Sequence, residues 1–151
     1  MPGANVLRDS FLMVEQAFQL AADQHCGQRD KGGKPYIWHV IRVALKMDSE
    51  EEQVVALLHD VVEDSATTLI EIRQMFGQSV VEAIDCLTHR AGEEYPAYID
   101  RLKGNALARK VKLADLNDNM DMTRLDEVGS VEMNRMYRYL DAVKVLEAVN
   151  E

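Results

Sequence analysis

Apolar side chains recur along this chain at intervals of three and four residues, and no stretch alternates convincingly. That is the period of helices buried on one face, not of half-buried strands. Val6, Phe11, Leu12, Val14, Ala17, Phe18 and Ala21 predict a first amphipathic helix ending near Cys26-Gly27. A glycine- and charge-rich loop, Gly27 to Pro35, precedes a second helix over Ile37 to Met47. Asp48 or Ser49 is placed to cap a third, with Glu50 to Glu52 in its first turn, and its apolar pattern runs on to Asp64. Thr67 or Thr68 opens a helix to Phe76, stopped by Gly77, and Ser79 opens another to about Arg90. Shorter helical patterns cover Tyr95 to Lys103 and, after Gly104, Ala106 to Met120; a last one covers about Val131 to Val149. The expected fold is all-α.

Composition narrows this further. A chain of 151 residues suits one domain with one core over 1–151. Three prolines and eight glycines are too few for a turn-rich β sandwich, and 47% apolar residues argue against wholesale disorder. No apolar run is long enough for a membrane span. Seventeen basic against 26 acidic residues leave a net charge of −9, which excludes a general binder of nucleic acid polymers. Glu15, Gln16 and Gln19 interrupt the N-terminal apolar run at helical spacing, which excludes a signal peptide; Cys26 and Cys86 form no CxxC pair. A cytoplasmic protein with reduced thiols is the expectation.

Candidate chemistry lies on the third helix. Projected at about 100° per residue, Val54, Leu57, Leu58, Val61 and Val62 share one arc; His59, Asp60, Glu63 and Asp64 share the other. A solvated helix face has the same look. Yet an imidazole beside a carboxylate also suits Zn²⁺, Mn²⁺ or Fe²⁺. Glu63, four residues after His59 and three after Asp60, stands one turn further on, where it can take a proton from water without binding an ion. Further ligands must come from elsewhere. His39, at the start of an apolar helix, is one candidate, although a buried structural histidine looks alike. Asp115, set in Val111-Lys112-Leu113-Ala114-Asp115-Leu116, is another, since burying it without a partner is costly. His25 and His89 sit near helix ends, where a positive charge is welcome, and are not expected to be ligands.

His39, His59-Asp60 and a distant Asp115 have the arrangement of the HD metal-dependent phosphohydrolase superfamily. Four blocks, His25 to Gln28, Gly33 to His39, Leu57 to Asp64 and Val111 to Asp115, resemble the hydrolase domain of RelA/SpoT-type alarmone enzymes and stand-alone small alarmone hydrolases. The resemblance spans roughly residues 11 to 125 and implies an all-helical HD bundle. It implies a Mn²⁺ enzyme, with Fe²⁺ and Zn²⁺ as alternatives, that removes pyrophosphate from the 3′ position of guanosine tetra- or pentaphosphate. His39, His59, Asp60 and Asp115 would be the ligands, and Glu63 and Asp64 the acidic pair that activates water. Lys31, Lys112 and Asn119 match family positions, with Arg29 and Tyr36 as further substrate contacts. Asp30, Leu116, Asp121 and Met122 depart from the family, which usually has basic residues at three of these positions.

The departures keep other readings open: an HD phosphohydrolase for another nucleotide or phosphate ester, a non-catalytic metal or nucleotide sensor, or a purely structural helical protein. Arg101, Lys103, Arg109, Lys110 and Lys112 form a basic cluster that suits phosphate and a solvated face about equally. A synthetase activity is not expected, because the chain has no room for a second domain. The partner implied is a phosphorylated nucleotide, with no membrane. Val131, Met136, Leu140, Val143 and Leu146 suit packing on the core or on a second copy, so a homo-oligomer stays open.

Overall fold

Four glycines with left-handed backbone and a few side-chain caps divide the chain where the apolar periodicity breaks. The structure, a computed structural model, describes residues 13–149. Helix α1 is Met13–Gln24; Val6, Phe11 and Leu12 of the predicted first helix lie outside the described residues. Helix α2 is Ile37–Leu45 and α3 is Glu50–Leu58, where Ser49 Oγ accepts from the Glu52 amide at 3.2 Å. A one-turn α4, Val61–Asp64, follows. Thr68, not Thr67, caps α5 (Leu69–Phe76) in a reciprocal box with Glu71. Gly77, at φ 91°, stops α5 and opens α6, Gln78–Leu87. Then come α7 (Tyr95–Leu102), α8 (Ala106–Asn119), a 3₁₀ turn at Met122–Arg124 and α9 (Ser130–Glu147). Among the described residues there is no strand, only an isolated bridge between Arg29 and Pro35. None of these helices is long and apolar enough to cross a membrane.

Helix α3 is the hub. Val54, Val55, Ala56, Leu57 and Leu58 are all buried, so the helix is apolar on every side over its second half. It packs against α1, α2, α6 and α8. A smaller core, built by Tyr98, Ile99, Leu102, Leu116, Ala142 and Leu146, joins α7, α8 and α9. Met136 and Leu146 of α9 are buried, whereas Val131 and Leu140 face solvent. The last helix therefore packs on the chain's own core by part of its apolar set.

Two predicted boundaries are corrected. The third helix does not run unbroken to Asp64: it ends at Leu58, and Asp60 sits at φ −111°, ψ 0°. The His59 ring turns back, its Nδ1 2.5 Å from the Ala56 carbonyl oxygen, and competes for the acceptor that would continue the ladder. The polar arc is accordingly divided: His59 is only 2% exposed, whereas Glu63 and Asp64 face solvent. Helix α6 ends at Leu87 rather than near Arg90, because Thr88 Oγ1 donates to the Ile84 carbonyl at 2.7 Å.

The glycine-rich loop is folded tightly. Asp30 Oδ1 accepts from the Gly32 and Lys34 amides, both at 2.9 Å, and Gly33 turns at φ 79°. Gly32 lies so close to the Arg124 carbonyl that an added Cβ would collide with it. Gly32→Ala is expected to cost about 1–3 kcal/mol by overpacking, read as a lower denaturant midpoint. An unchanged midpoint would show that the loop and the 3₁₀ turn do not press together.

Candidate active site

Four helical segments bring the predicted ligands together. His39 stands in the first turn of α2, His59 and Asp60 at the break between α3 and α4, and Asp115 late on α8. One ligand atom from each of the four lies within 4.8 Å of the others. His39 Nε2 is 2.8 Å from Asp115 Oδ1, and His59 Nε2 is 3.2 Å from the same oxygen and 3.0 Å from Asp60 Oδ2. His25 and His89 are not in this group. His25 is buried against Gln28 Oε1 at 2.8 Å, not on helix carbonyls, and His89 Nε2 donates to the Glu93 carbonyl at 2.6 Å.

The other ring nitrogens explain how the set is aimed. His39 Nδ1 donates to Asp118 Oδ2 at 2.6 Å, and His59 Nδ1 donates to the Ala56 carbonyl. Each bond spends one nitrogen as a donor and leaves Nε2 as the ligand atom, the usual outer support of a metal-binding imidazole. Asp118 was not singled out in the sequence. It is buried, and Arg42 reaches it at 2.8 and 3.1 Å and Arg124 Nη2 at 3.2 Å. Burial opposes its charge, but the bonds from His39 and Arg42 hold the carboxyl well below its ordinary range. The available signal was spacing: Asp118 follows Asp115, and Arg42 follows His39, by three residues on one helix face.

The donor set fits a divalent cation. Burial alone would keep both imidazoles neutral, yet the Asp60 and Asp115 carboxylates raise the affinity of the His59 ring for positive charge well above normal. Two imidazole nitrogens and two carboxylates make a borderline site suited to Mn²⁺, Fe²⁺ or Zn²⁺. Tyr36 donates its hydroxyl to Asp60 Oδ2. Lys112 Nζ bonds Asp115 Oδ2 at 2.9 Å and lies 5.3 Å from the Tyr98 ring. Burial opposes the Lys112 charge, but Asp115 outweighs it and keeps the ammonium protonated. Asn119 Nδ2 donates to Asp115 Oδ1 at 3.2 Å.

Glu63 and Asp64 rim the site from α4. Glu63 Oε1 accepts a hydrogen bond from the His89 amide, and the Asp64 carbonyl accepts from Gln28 Nε2 at 3.1 Å. Desolvation first, then the charge of Asp60, pushes both carboxyls above their ordinary range. Tyr36 and Asn119, which bond Asp60 and Asp115, also line a cavity of about 290 Å³ together with Arg29 and Lys31. Arg124 and, from α9, Arg135, Met136 and Tyr139 add to its wall, which also carries the carboxylates of Asp30 and Asp121. Burial, then the charges of Arg135 and Arg138, lowers the Lys31 ammonium from its ordinary value, so cations crowd here. The α9 residues were missed because their pattern reads as packing alone.

The positions that depart from the family have local jobs. Asp30 ties the loop together, Leu116 is fully buried in the second core, and Asp121 caps the 3₁₀ turn through Thr123 at 3.1 and 2.6 Å. Met122 opens that turn. The predicted basic cluster disperses: Arg101 pairs with Glu93, Lys103 with Asp100, Lys110 with Asp48 and Glu52, and Arg109 bonds the Lys103 carbonyl. Only Lys112 of the five joins the candidate ligand group, through Asp115.

Comparison with known proteins agrees with this geometry. Residues 17–110 match the HD domain family. A guanosine-3′,5′-bis(diphosphate) 3′-pyrophosphohydrolase of Aquifex aeolicus is 32% identical over 117 residues, 72% of this chain but 17% of that protein. The bifunctional (p)ppGpp synthase/hydrolase SpoT of Escherichia coli is 36% identical over 128 residues, 74% of this chain and 18% of that protein. The chain thus spans less than a fifth of the length of these relatives. Among solved structures, a metazoan ortholog of SpoT described as hydrolyzing ppGpp superposes with a TM-score of 0.78 at 26% identity. It covers 91% of this chain and 87% of its own.

Proposed function

This chain belongs to the HD-domain family, and on that premise we propose that it is a divalent-metal-dependent hydrolase that removes pyrophosphate from guanosine 3′,5′-bis(diphosphate). The observation that carries this reading is the four-residue group linked, through Tyr36 on Asp60 and Asn119 on Asp115, to a cavity whose wall carries four basic side chains against two acidic ones. Its relatives bear the names of such enzymes. Mn²⁺ is the metal we propose, on the family resemblance and a mixed imidazole and carboxylate donor set, and a cytoplasmic setting goes with this reading.

His39, His59, Asp60 and Asp115 would hold the cation, which when bound supplies Lewis-acid polarisation of a phosphate oxygen and makes water more acidic. Asp118 and the Ala56 carbonyl keep the imidazoles in the ligating tautomer. Glu63 takes a proton from water, with Asp64 beside it, as the water oxygen attacks phosphorus in line. The bond from phosphorus to the 3′ oxygen breaks, releasing pyrophosphate and GDP. Lys31, Arg29 and Arg135 neutralise the phosphate oxygens, and Asn119 and Tyr36 border the same space. Lys112 acts one step removed: its charge offsets that of Asp115 instead of meeting a phosphate.

The test is hydrolysis of guanosine tetraphosphate by Mn²⁺-loaded protein beside a panel of nucleotides and phosphate esters, with Asp60→Ala as control. Pyrophosphate and GDP released by wild type alone are the expected products. Metal-dependent cleavage of another panel member, with the tetraphosphate untouched, would move the substrate. Arg135→Ala should raise KM about tenfold or more, as loss of a charge-assisted contact implies, with kcat little changed. A KM equal to wild type would take Arg135 out of the substrate wall.

A further inference from the structure

Glu63 is held by a backbone group, and a backbone N–H points wherever its loop points it. The loop here is residues 88–94, between α6 and α7, and its His89 amide donates to Glu63 Oε1. That loop is built around the guanidinium of Arg101 on α7. Arg101 Nε and Nη2 take both carboxylate oxygens of Glu93, at 2.8 and 2.9 Å, a fork that sets plane as well as distance. Nη2 also donates to the Thr88 carbonyl at 2.9 Å, and Nη1 reaches the Asp85 and Cys86 carbonyls at 3.4 and 3.5 Å. These are carbonyls at the end of α6, of which that of Asp85 also accepts from the Thr88 amide at 3.2 Å.

Glu93 closes the loop from the other side. Its Oε1 accepts from the Arg90 amide at 3.2 Å, and its carbonyl accepts from the His89 ring at 2.6 Å. Gly92 makes the return at φ 76°, and the His89 ring rests 4.8 Å from that of Tyr98. The bonds from Arg101 hold the Glu93 carboxyl down at about 2, so the fork stays charged at any working pH.

We propose that Arg101, acting through Glu93 and the His89 amide, is a positioning residue that fixes the Glu63 carboxylate for proton abstraction. It touches no substrate, and its guanidinium is spent on the loop. The proposal rests on the base role given to Glu63 above.

Single-turnover hydrolysis by the Mn²⁺-loaded full chain is compared for wild type, Arg101→Ala, Glu93→Gln, Glu63→Gln and the two double variants. Glu93→Gln keeps the size of the side chain and guards against a loss of fold. Each of Arg101→Ala and Glu93→Gln should slow the chemical step about 10- to 100-fold, the scale of a misplaced catalytic group. KM and bound metal should stay as in wild type, and neither substitution should slow Glu63→Gln further. Equal losses in both backgrounds, lost metal, or a wild-type rate in Glu93→Gln would overturn the proposal. If wild type itself releases no pyrophosphate, the functional reading fails and the clamp is judged by hydrogen exchange. Exchange of the His89 amide should then be at least about tenfold faster in both single variants, by loss of local protection; unchanged exchange would overturn the clamp.

Discussion

Asp115→Asn should purify without stoichiometric metal and without turnover. Asp115 is 3% exposed, and its two oxygens meet His39 and His59 on one side and Lys112 on the other. Asparagine keeps the shape and removes the charge. The ligand set then has one carboxylate in place of two, and Lys112 is left as a buried ammonium without its counter-charge. Breaking a buried pair from one side costs about 3–5 kcal/mol, so the variant should also unfold earlier in the presence of a chelator. Metal affinity should fall by at least about 100-fold, beyond what loss of an outer support costs. Titration of the metal-free protein by calorimetry, together with denaturation, reads both effects. Wild-type metal affinity in Asp115→Asn would remove Asp115 from the site.

Glu63→Gln should separate binding from chemistry. The side chain approaches the site from α4 and belongs to the rim, outside the four-ligand group. Glutamine can still accept the His89 amide bond but cannot take a proton. Metal content and KM should therefore hold, while kcat falls about 10²–10⁴-fold, the usual worth of a general base. The sign of the pH effect follows. Burial and Asp60 raise the Glu63 carboxyl, so in wild type activity declines as pH falls through that raised value and the base protonates. Glu63→Gln should lose that acid limb along with the rate. Turnover near wild type would assign the proton to another acceptor.

Much of this architecture is legible in the residues. Ser49 and Thr68 announce helix starts because each offers an oxygen to an amide three residues on. Gly77 marks a stop because its backbone is left-handed. His39, His59, Asp60 and Asp115 stand out as polar groups inside apolar runs, where only a partner makes them affordable. Asp118 and Arg135 do not stand out, since a polar residue on a helix reads as solvated until its neighbour across the bundle is known. The break at His59 escaped for a related reason: a helical projection assumes that the ladder continues, and it stops where a ring turns back onto a carbonyl.

An all-helical chain and four candidate ligands, His39, His59, Asp60 and Asp115, can be read from the residues alone. Periodicity and residue chemistry are local, and they survive without knowledge of what lies opposite. The tertiary structure decided which nitrogen of each histidine is spent, because His39 and Asp118 lie 79 residues apart and meet only when α2 packs on α8. It also decided where the pocket gets its charge, turning Leu116 into the core and bringing Arg135 in from the last helix. Those outcomes depend on distances between helices, and no spacing along one helix encodes them.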